Sequence, residues 1–245
     1  MTASVREFWD DDADGYDRSP SHGPAMGAER AAWNGALARL LPAPAGGGRV
    51  LDAGAGTGFL SVLAARLGYQ VTALDLSPRM LDRLRAVATR EGLAIECVEG
   101  SAEQPPAGPF DAVIERHLLW TLPDPGRALA AWRAAAPAGR LVLFEGMWGN
   151  IDPVEALRSR ARELLRRLRG EPDHHHASYD PAVLAQLPFG GGASPDQLVA
   201  LVERAGWEVA RLERLHDVEW VQRLSLPPSR RLFGVTPRFA ISAGR

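Results

Sequence analysis

The chain of 245 residues has no lysine, so all 28 of its basic residues are arginine. Alanine, glycine and proline are abundant as well. We interpret this composition as the mark of a GC-rich genome. Arginine clusters along the chain therefore carry little weight as evidence for a phosphate-binding or nucleic-acid-binding function.

Cysteine and long apolar runs are also scarce. The one cysteine, Cys97, excludes an internal disulfide and is typical of a reducing compartment. The sequence lacks both a run of about eighteen apolar residues and the apolar core of a signal peptide, so we expect a cytoplasmic protein without a membrane span. The net charge of -2 predicts no general attraction to nucleic acid or anionic lipid.

What the sequence does contain is an alternation of short apolar runs and helical patterns. The predicted strands cover 49–53, 70–74, 95–98, 110–114, 140–144, 209–215 and 238–242. Helices are predicted at about 59–67, 78–92, 126–136, 153–169 and 195–206, with Ser77-Pro78 and Ser194-Pro195 as cap-plus-proline starts. This order predicts an α/β fold: a doubly wound, mostly parallel seven-stranded sheet with helices on both faces.

Two segments lie outside this alternation. Residues 1–45 predict one or two helices ahead of the first strand, and residues 150–193 predict an amphipathic helix followed by a loop. We expect one domain over residues 1–245, with a helical cover at 1–45, a core at 48–146, a lid at 150–193 and closing elements at 194–245. The two outer segments are expected to close over a site on the core.

A glycine-rich loop, Gly54-Ala55-Gly56-Thr57-Gly58, follows the first predicted strand and precedes a helix. Glycines there permit a sharp turn and close approach of a ligand at the carboxyl end of the strand. Asp75 ends the second strand, where a carboxylate can accept hydrogen bonds from both hydroxyls of a ribose. Phe59 stands where a dinucleotide fingerprint needs its third glycine, which disfavours a nicotinamide or flavin dinucleotide.

Several motifs then occur in a characteristic order: VLDAGAGTG at 50–58, ALDLS at 73–77, GSAEQP at 100–105, FDAV at 110–113, HLLWTLPDP at 117–125 and PAGRL at 137–141. Together they resemble the class I S-adenosylmethionine-dependent methyltransferases, closely over about residues 48–146. The resemblance implies a Rossmann-like methyltransferase fold, S-adenosylmethionine as cofactor and an enzyme that methylates a small molecule, such as a secondary metabolite.

The resemblance also implies which positions bind the cofactor. Gly54, Gly56 and Gly58 correspond to the loop beside its methionine part, and Asp52 to the acid that orders this loop. Asp75 corresponds to the ribose ligand. The remaining positions correspond to the adenine contacts, the backbone near the sulfonium and an aromatic over the cofactor: Leu76, Met80, Ser101, Ala102, Arg116 and Tyr16. Many relatives carry Asp in place of Ser101.

Simpler interpretations stand beside these. Asp52 and Asp75 could serve only as helix caps, and Tyr16 only as a packing residue. The arginines of the helix at 153–169 are interpreted as a solvated face opposite a buried stripe, Leu157, Ala161, Leu164, Leu165 and Leu168. Adjacent side chains diverge in the triple histidine His174-His175-His176, so we predict no metal site there.

Methyl transfer is an in-line displacement that depends on alignment of the reacting atoms, and a general base is needed when the acceptor is a hydroxyl or a protonated amine. His117 and Arg116 after the fourth strand and Glu145 after the fifth are the catalytic candidates, with His117 the best placed. His22 and the triple histidine are further candidates from the cover.

The acceptor cannot be identified from the sequence. Oxygen is the first choice of acceptor atom, then nitrogen, then carbon, on a small molecule rather than a nucleic acid, in a monomer or homodimer. A methyltransferase of RNA or protein, an inactive cofactor-binding module and, last, a nicotinamide-dependent oxidoreductase are the alternatives.

Overall fold

The computed structural model describes residues 2–18, 27–43, 46–147, 153–168, 181–208, 211–231 and 234–244. Within them, one sheet is formed by β1 (Arg49–Ala53), β2 (Gln70–Asp75), β3 (Ile95–Glu99), β4 (Ala112–Arg116), β5 (Arg140–Gly146), β6 (Arg211–Arg214) and β7 (Arg238–Ala243). The helices are α1 (Thr2–Asp12), α2 (Gly27–Leu40), α3 (Phe59–Arg66), α4 (Pro78–Glu91), α5 (Pro125–Ala135), α6 (Pro153–Leu168), α7 (Pro181–Leu184), α8 (Pro195–Arg204), α9 (His216–Ser225) and α10 (Pro228–Arg231).

The strand order is β3-β2-β1-β4-β5-β7-β6. Strands β1 to β5 are parallel, and β7 is antiparallel to both of its neighbours, β5 and β6. The predicted doubly wound, mostly parallel sheet is therefore confirmed. From β1 the chain winds outward to β3 on one side, and from β4 to β5 on the other. This reversal between β1 and β4 opens a crevice at their carboxyl ends, where such sheets bind ligands.

Two apolar cores lie on opposite faces of the sheet. Successive strand residues point to opposite faces, so Leu51 packs in one core and Val50 in the other. Trp132 of α5 and Val202 of α8 are fully buried on the first face. Trp33 of α2 and Val218 of α9 belong to the core on the second face.

The start of α4 follows the sequence prediction. The Ser77 side chain accepts a hydrogen bond from the Met80 N–H, and Pro78 occupies the first turn. Helix α8 begins likewise at Ser194, whose hydroxyl accepts the Gln197 N–H in a full capping box. Both helices therefore begin where local side chains satisfy their first N–H groups.

Helix α6 differs from its prediction. Leu157 and Leu164 of the predicted buried stripe are 68% and 59% exposed. The helix instead turns Glu155 inward, and that carboxylate is bound by the guanidinium of Arg162. The expected buried stripe is wrong at these two leucines, because the ion pair faces the body of the protein.

The sequence analysis also missed three helices, among them the short α10 after α9. Helix α9 lies between β6 and β7 and packs against α2 and β7, and the short α7 interrupts the predicted loop at 174–192. Among the described helices, none has the length and apolarity required to cross a membrane.

Candidate active site

A cleft of about 880 Å³, counting its open mouth, lies at the carboxyl ends of β1, β2 and β4. Its walls include most of the predicted site residues: Tyr16, Gly54, Gly56, Asp75, Leu76, Met80, Ser101, Ala102, Arg116 and His117. Residues that the sequence analysis did not place in the site complete the lining: Val5, Trp9, Leu74, Gly100, Glu103, Leu118, Thr121, Leu122 and Pro123.

The glycine loop forms the floor of the cleft. Gly54 has a φ of 69°, and a Cβ atom on it would lie 2.7 Å from Cδ1 of Leu118. The N–H groups of Gly54 and Ala55 both donate to the carbonyl oxygen of Leu74, which folds the loop back over the end of β2. A side chain at Gly54 would therefore displace the wall of the cleft.

Gly58, unlike Gly54, is packed against a side chain of a helix. It lies outside the lining of the cleft, at the start of α3, with a φ of 93°. A Cβ atom there would lie 2.1 Å from Cδ1 of Leu84, which is fully buried. Close packing of α3 against α4 therefore requires this glycine.

Asp75 connects the glycine loop to β2. Its Oδ2 accepts the Gly56 N–H and its Oδ1 accepts the Ser77 N–H, both at 2.8 Å. Burial raises the pKa of Asp75, and the hydrogen bonds oppose that change. The Leu76 N–H bonds to this carboxylate as well, so of its about four lone-pair sites one remains for a ligand in the cleft. The helix cap itself is Ser77, so capping α4 does not account for this acid.

An apolar slot adjoins Asp75. Leu76, Met80, Ala102 and Leu122 line it, and the Ala102 carbonyl oxygen accepts the indole N–H of the buried Trp132. That bond fixes the loop after β3 against α5. The slot offers a flat aromatic ring an apolar surface on more than one side.

Ser101, at the rim of this slot, begins a tight turn. Its hydroxyl accepts the backbone N–H of Glu103 at 3.2 Å, and its carbonyl oxygen accepts the N–H of Gln104. The serine thus shapes the loop beside the slot.

Asp52 lies beneath the cleft, 2% exposed, in a smaller adjoining cavity. Its carboxylate accepts the Ser61 hydroxyl at 2.6 Å, and burial raises the pKa of Asp52 to about 7. The Ser61 N–H also bonds to it, so Asp52 does cap the first turn of α3. In this way the acid ties the end of β1 to the helix that follows the glycine loop.

Arg116 borders both cavities. Its guanidinium carbon lies 3.8 Å from the ring centre of Phe59, a cation–π contact, and burial lowers the pKa of Arg116. The Tyr16 hydroxyl and the Asp52 carboxyl are the groups that favour its charged form most strongly. The arginine thus places a half-buried positive charge beside the glycine loop.

Helix α1 and the short 3₁₀ helix at Tyr16–Arg18 cover the mouth of the cleft. Val5, Trp9 and Tyr16 face into it, and the rings of Trp9 and Tyr16 meet edge to face at 5.8 Å. Asp10 accepts the Ser77 hydroxyl at 2.5 Å. Together with the pairing of Asp14 to Arg79 and Arg83 on α4, this contact anchors the cover to the rim.

His117 forms the side of the cleft beyond the glycine loop. Among the described residues it alone, glycines aside, has a positive φ, of 59°, a conformation that is uncommon outside glycine and often found at functional sites. Its Nδ1 lies 3.2 Å from Oε2 of Glu145, and its Nε2 lies 2.9 Å from Nη1 of Arg238. The ring is thus bonded on both sides by side chains of buried ionisable residues.

Glu145 lies within β5 rather than after it, and is 5% exposed. It borders a separate small cavity and contacts His117 without lining the main cleft. Burial raises the pKa of Glu145 to about 8. The pKa of the neighbouring Glu115 is also raised, by burial and then by the charge of Glu145. Glu145 therefore keeps its proton to a higher pH than an exposed carboxyl group does.

The remaining predictions fall outside the described residues: His22, His174, His175 and His176. In the part of the chain that the structure covers, no group of three or more His, Cys, Asp or Glu side chains is arranged to hold a metal ion. Arg238 is the important site residue that the sequence analysis missed. Its only signal was its place at the start of a predicted closing strand.

Comparisons with known proteins agree with this geometry. A family model described as a methyltransferase domain matches residues 51–143. The chain is 32% identical over 228 residues to the ubiquinone biosynthesis O-methyltransferase of Xanthomonas axonopodis pv. citri, covering 90% of each chain.

Solved structures match in fold. The magnesium protoporphyrin IX methyltransferase of Synechocystis PCC 6803, with bound SAH, has a TM-score of 0.62 at 15% identity and covers all of both chains. The [4+2]-cyclase SpnF has a TM-score of 0.56 at 17% identity, over 86% of this chain and 78% of that one. At these identities the likeness shows the fold alone, and the cyclase illustrates that one fold supports several reactions.

The sequence relative decides the family, since it matches nearly the whole chain and is itself a methyltransferase. The apolar slot, the strand-end carboxylate and the open glycine loop fit the adenine, ribose and methionine parts of the cofactor. The chain belongs to the class I S-adenosylmethionine-dependent methyltransferases, enzymes that use this cofactor as methyl donor.

Proposed function

We propose that this enzyme transfers the methyl group to an oxygen atom of a small-molecule acceptor that enters the cleft beside His117. The observation that carries the proposal is the position of His117 on the cleft wall, where its Nδ1 is bonded to the buried Glu145 behind it. A histidine backed by a carboxyl group is suited to receive the proton of a hydroxyl. The O-methyltransferase relative supports oxygen as the acceptor atom.

The cofactor is proposed to lie along the floor of the cleft. Asp75 would bind the ribose hydroxyls, and Leu76, Met80 and Ala102 would enclose the adenine, with Ser101 at its edge. Gly54 and Gly56 would pass beside the methionine part. The remaining lone-pair site of Asp75 and the apolar walls of the slot support this placement.

Three further predicted residues have supporting roles in the proposal. Asp52 would act through the loop that it anchors, and Tyr16 would cover the cofactor from α1. Arg116 would present its backbone near the sulfonium, while its guanidinium stays packed on Phe59. Gly58 is assigned to helix packing rather than to the cofactor.

When bound, the cofactor supplies a methyl group on a sulfonium, which an oxygen lone pair can attack without protonation of the leaving group. The protein would align the acceptor oxygen with that methyl and exclude water, largely through Trp9 and Tyr16 of the cover. Glu145 would orient His117, which would take the acceptor proton. A cytoplasmic location, a lid at 150–193, no nucleic-acid partner and a monomeric or dimeric state remain predictions.

A screen of acceptors, with S-adenosylhomocysteine release as the signal, tests this function. Phenols, carboxylic acids, amines and activated carbon acids form the panel, and RNA and protein from a cell extract form the macromolecular arm. We expect turnover with an oxygen acceptor that Asp75→Ala reduces at low cofactor concentration. Turnover confined to amines, or label only in the macromolecular arm, would contradict the proposal.

A further inference from the structure

A chain of side-chain hydrogen bonds runs from the second face of the sheet to His117. Glu29 of α2 accepts the side-chain N–H of Gln222 at 2.6 Å, and Gln222 of α9 accepts the Nε–H of Arg238 at 3.0 Å. Arg238 of β7 then reaches Nε2 of His117 at 2.9 Å, and Nδ1 of His117 reaches Glu145 of β5. This series of hydrogen bonds thus joins α2, α9, β7, β5 and the loop after β4.

The chemistry of arginine sets the direction of these bonds. A guanidinium has only donors, so Nε2 of His117 must accept from Arg238 with its lone pair. A neutral ring then carries its proton on Nδ1, which donates to Oε2 of Glu145. The structure therefore specifies one tautomer of His117, with the basic nitrogen on Nε2.

Arg238 is itself firmly held. It is 8% exposed, its backbone N–H donates to Oε1 of Glu219 at 2.8 Å, and its guanidinium carbon lies 5.9 Å from the ring centre of Trp33. Burial lowers the pKa of Arg238 to about 10, which leaves it charged at neutral pH. A buried guanidinium needs hydrogen-bond acceptors to offset the loss of water, and Nε2 of His117 is one of them.

We infer that Arg238 is a positioning residue for methyl transfer, which fixes the His117 tautomer whose basic nitrogen is Nε2. This inference rests on the proposed function of His117. In the step, the acceptor O–H first replaces the Arg238 N–H at the lone pair of Nε2. The O–H bond of the acceptor then breaks and its proton forms an N–H bond at Nε2. The electron pair left on oxygen forms the bond to the methyl carbon as the carbon–sulfur bond breaks.

The tautomer is measurable without an acceptor. Long-range ¹H–¹⁵N spectra of the ¹⁵N-labelled full chain with S-adenosylhomocysteine distinguish the two neutral tautomers and the charged ring. His117→Gln identifies the signals. We expect a neutral Nδ1–H ring at neutral pH in the parent enzyme. An Nε2–H ring or a charged ring there would overturn the inference, whatever the activity of the enzyme.

Variants then connect the tautomer to catalysis. Arg238→Met should lower kcat by about tenfold to a hundredfold, the usual cost of losing a partner that fixes a histidine ring. Its His117 signals should change while affinity for S-adenosylhomocysteine is kept, and Arg238→Lys should restore part of kcat and of the spectrum. Arg140→Met is the matched control, since Arg140 is an arginine of β5 that bonds to the carbonyl oxygen of Leu40.

The control separates positioning from stability. Arg140→Met should reduce thermal stability without changing kcat or the His117 signals. If Arg238→Met is too unstable to measure, Gln222→Leu, which removes the support of Arg238, should give a smaller change in the same direction. Unchanged His117 signals in folded Arg238→Met would overturn the inference. Loss of activity in His117→Ala tests the proposed function separately.

Discussion

The cleft has two halves that are built in different ways. In the cofactor half, Asp75 is held by backbone N–H groups of Gly56 and Ser77, and each contact lies within one β-α unit or between adjacent ones. In the acceptor half, His117 is held by side chains of Glu145 and Arg238, which lie 28 and 121 residues away. One half depends on backbone geometry, the other on long-range side-chain packing.

This difference predicts which substitutions each half of the cleft tolerates. A backbone-held site needs particular residue types in a short order, and it persists while the sheet persists. The acceptor half requires α2, α9, β5 and β7 to be docked correctly before His117 has its partners. A change to a single side chain in the acceptor half should therefore affect rate much more than cofactor affinity.

The largest effect is expected from His117→Ala. If His117 receives the acceptor proton, methyl transfer should slow by roughly 10²–10⁴-fold, the usual contribution of a general base. Single-turnover rates with an identified acceptor measure this. Affinity for S-adenosylhomocysteine should stay nearly intact, since the cofactor half does not depend on the imidazole.

The triple alanine variant of His174, His175 and His176 is the comparison for that experiment. Full activity of His117→Ala together with a collapse in the triple variant would show that the base is in the other histidine group. A loss smaller than tenfold in His117→Ala would indicate that the ring only orients the acceptor.

A substitution at Gly58 tests, through the free energy of unfolding, how closely the backbone after the glycine loop is packed. Gly58→Ala should destabilise the fold by about 3 kcal/mol, because a left-handed φ costs an alanine ~1–2 kcal/mol and the clash with Leu84 costs ~1–3 kcal/mol. Urea unfolding measures the change. The matched control is Gly92→Ala, at a φ of 66° with no atom within 4 Å, which should cost only about 1 kcal/mol.

Equal losses for the two alanines would mean that α3 and α4 adjust to the extra methyl group. In that case the steric explanation of Gly58 is wrong.

The two halves also differ in how well the sequence predicted them. The strand ends, the glycine loop and Asp75 follow one another within a few dozen residues, so local patterns placed them at one edge of the sheet. His117 was found for the same reason, because it directly follows β4. Their common position on the cleft wall follows from the parallel strand order.

Arg238 could not be found in this way. It starts β7, and its importance depends on the antiparallel pairing of β7 with β5 and on α9, a helix absent from the prediction. The prediction of the buried face of α6 was wrong for a related reason. Helical spacing groups Leu157 and Leu164 on one stripe but does not determine which stripe faces the protein. Burial of Glu155 decided that orientation.

The most direct test of the account is calorimetric titration of S-adenosylhomocysteine into the parent enzyme and into Asp75→Ala. The account predicts binding to the parent chain. In the variant it predicts affinity lower by about 1–3 kcal/mol, roughly 5-fold to 150-fold, as expected for losing hydrogen bonds to a charged acceptor. Unchanged affinity in Asp75→Ala would contradict the assignment of the cofactor to this cleft.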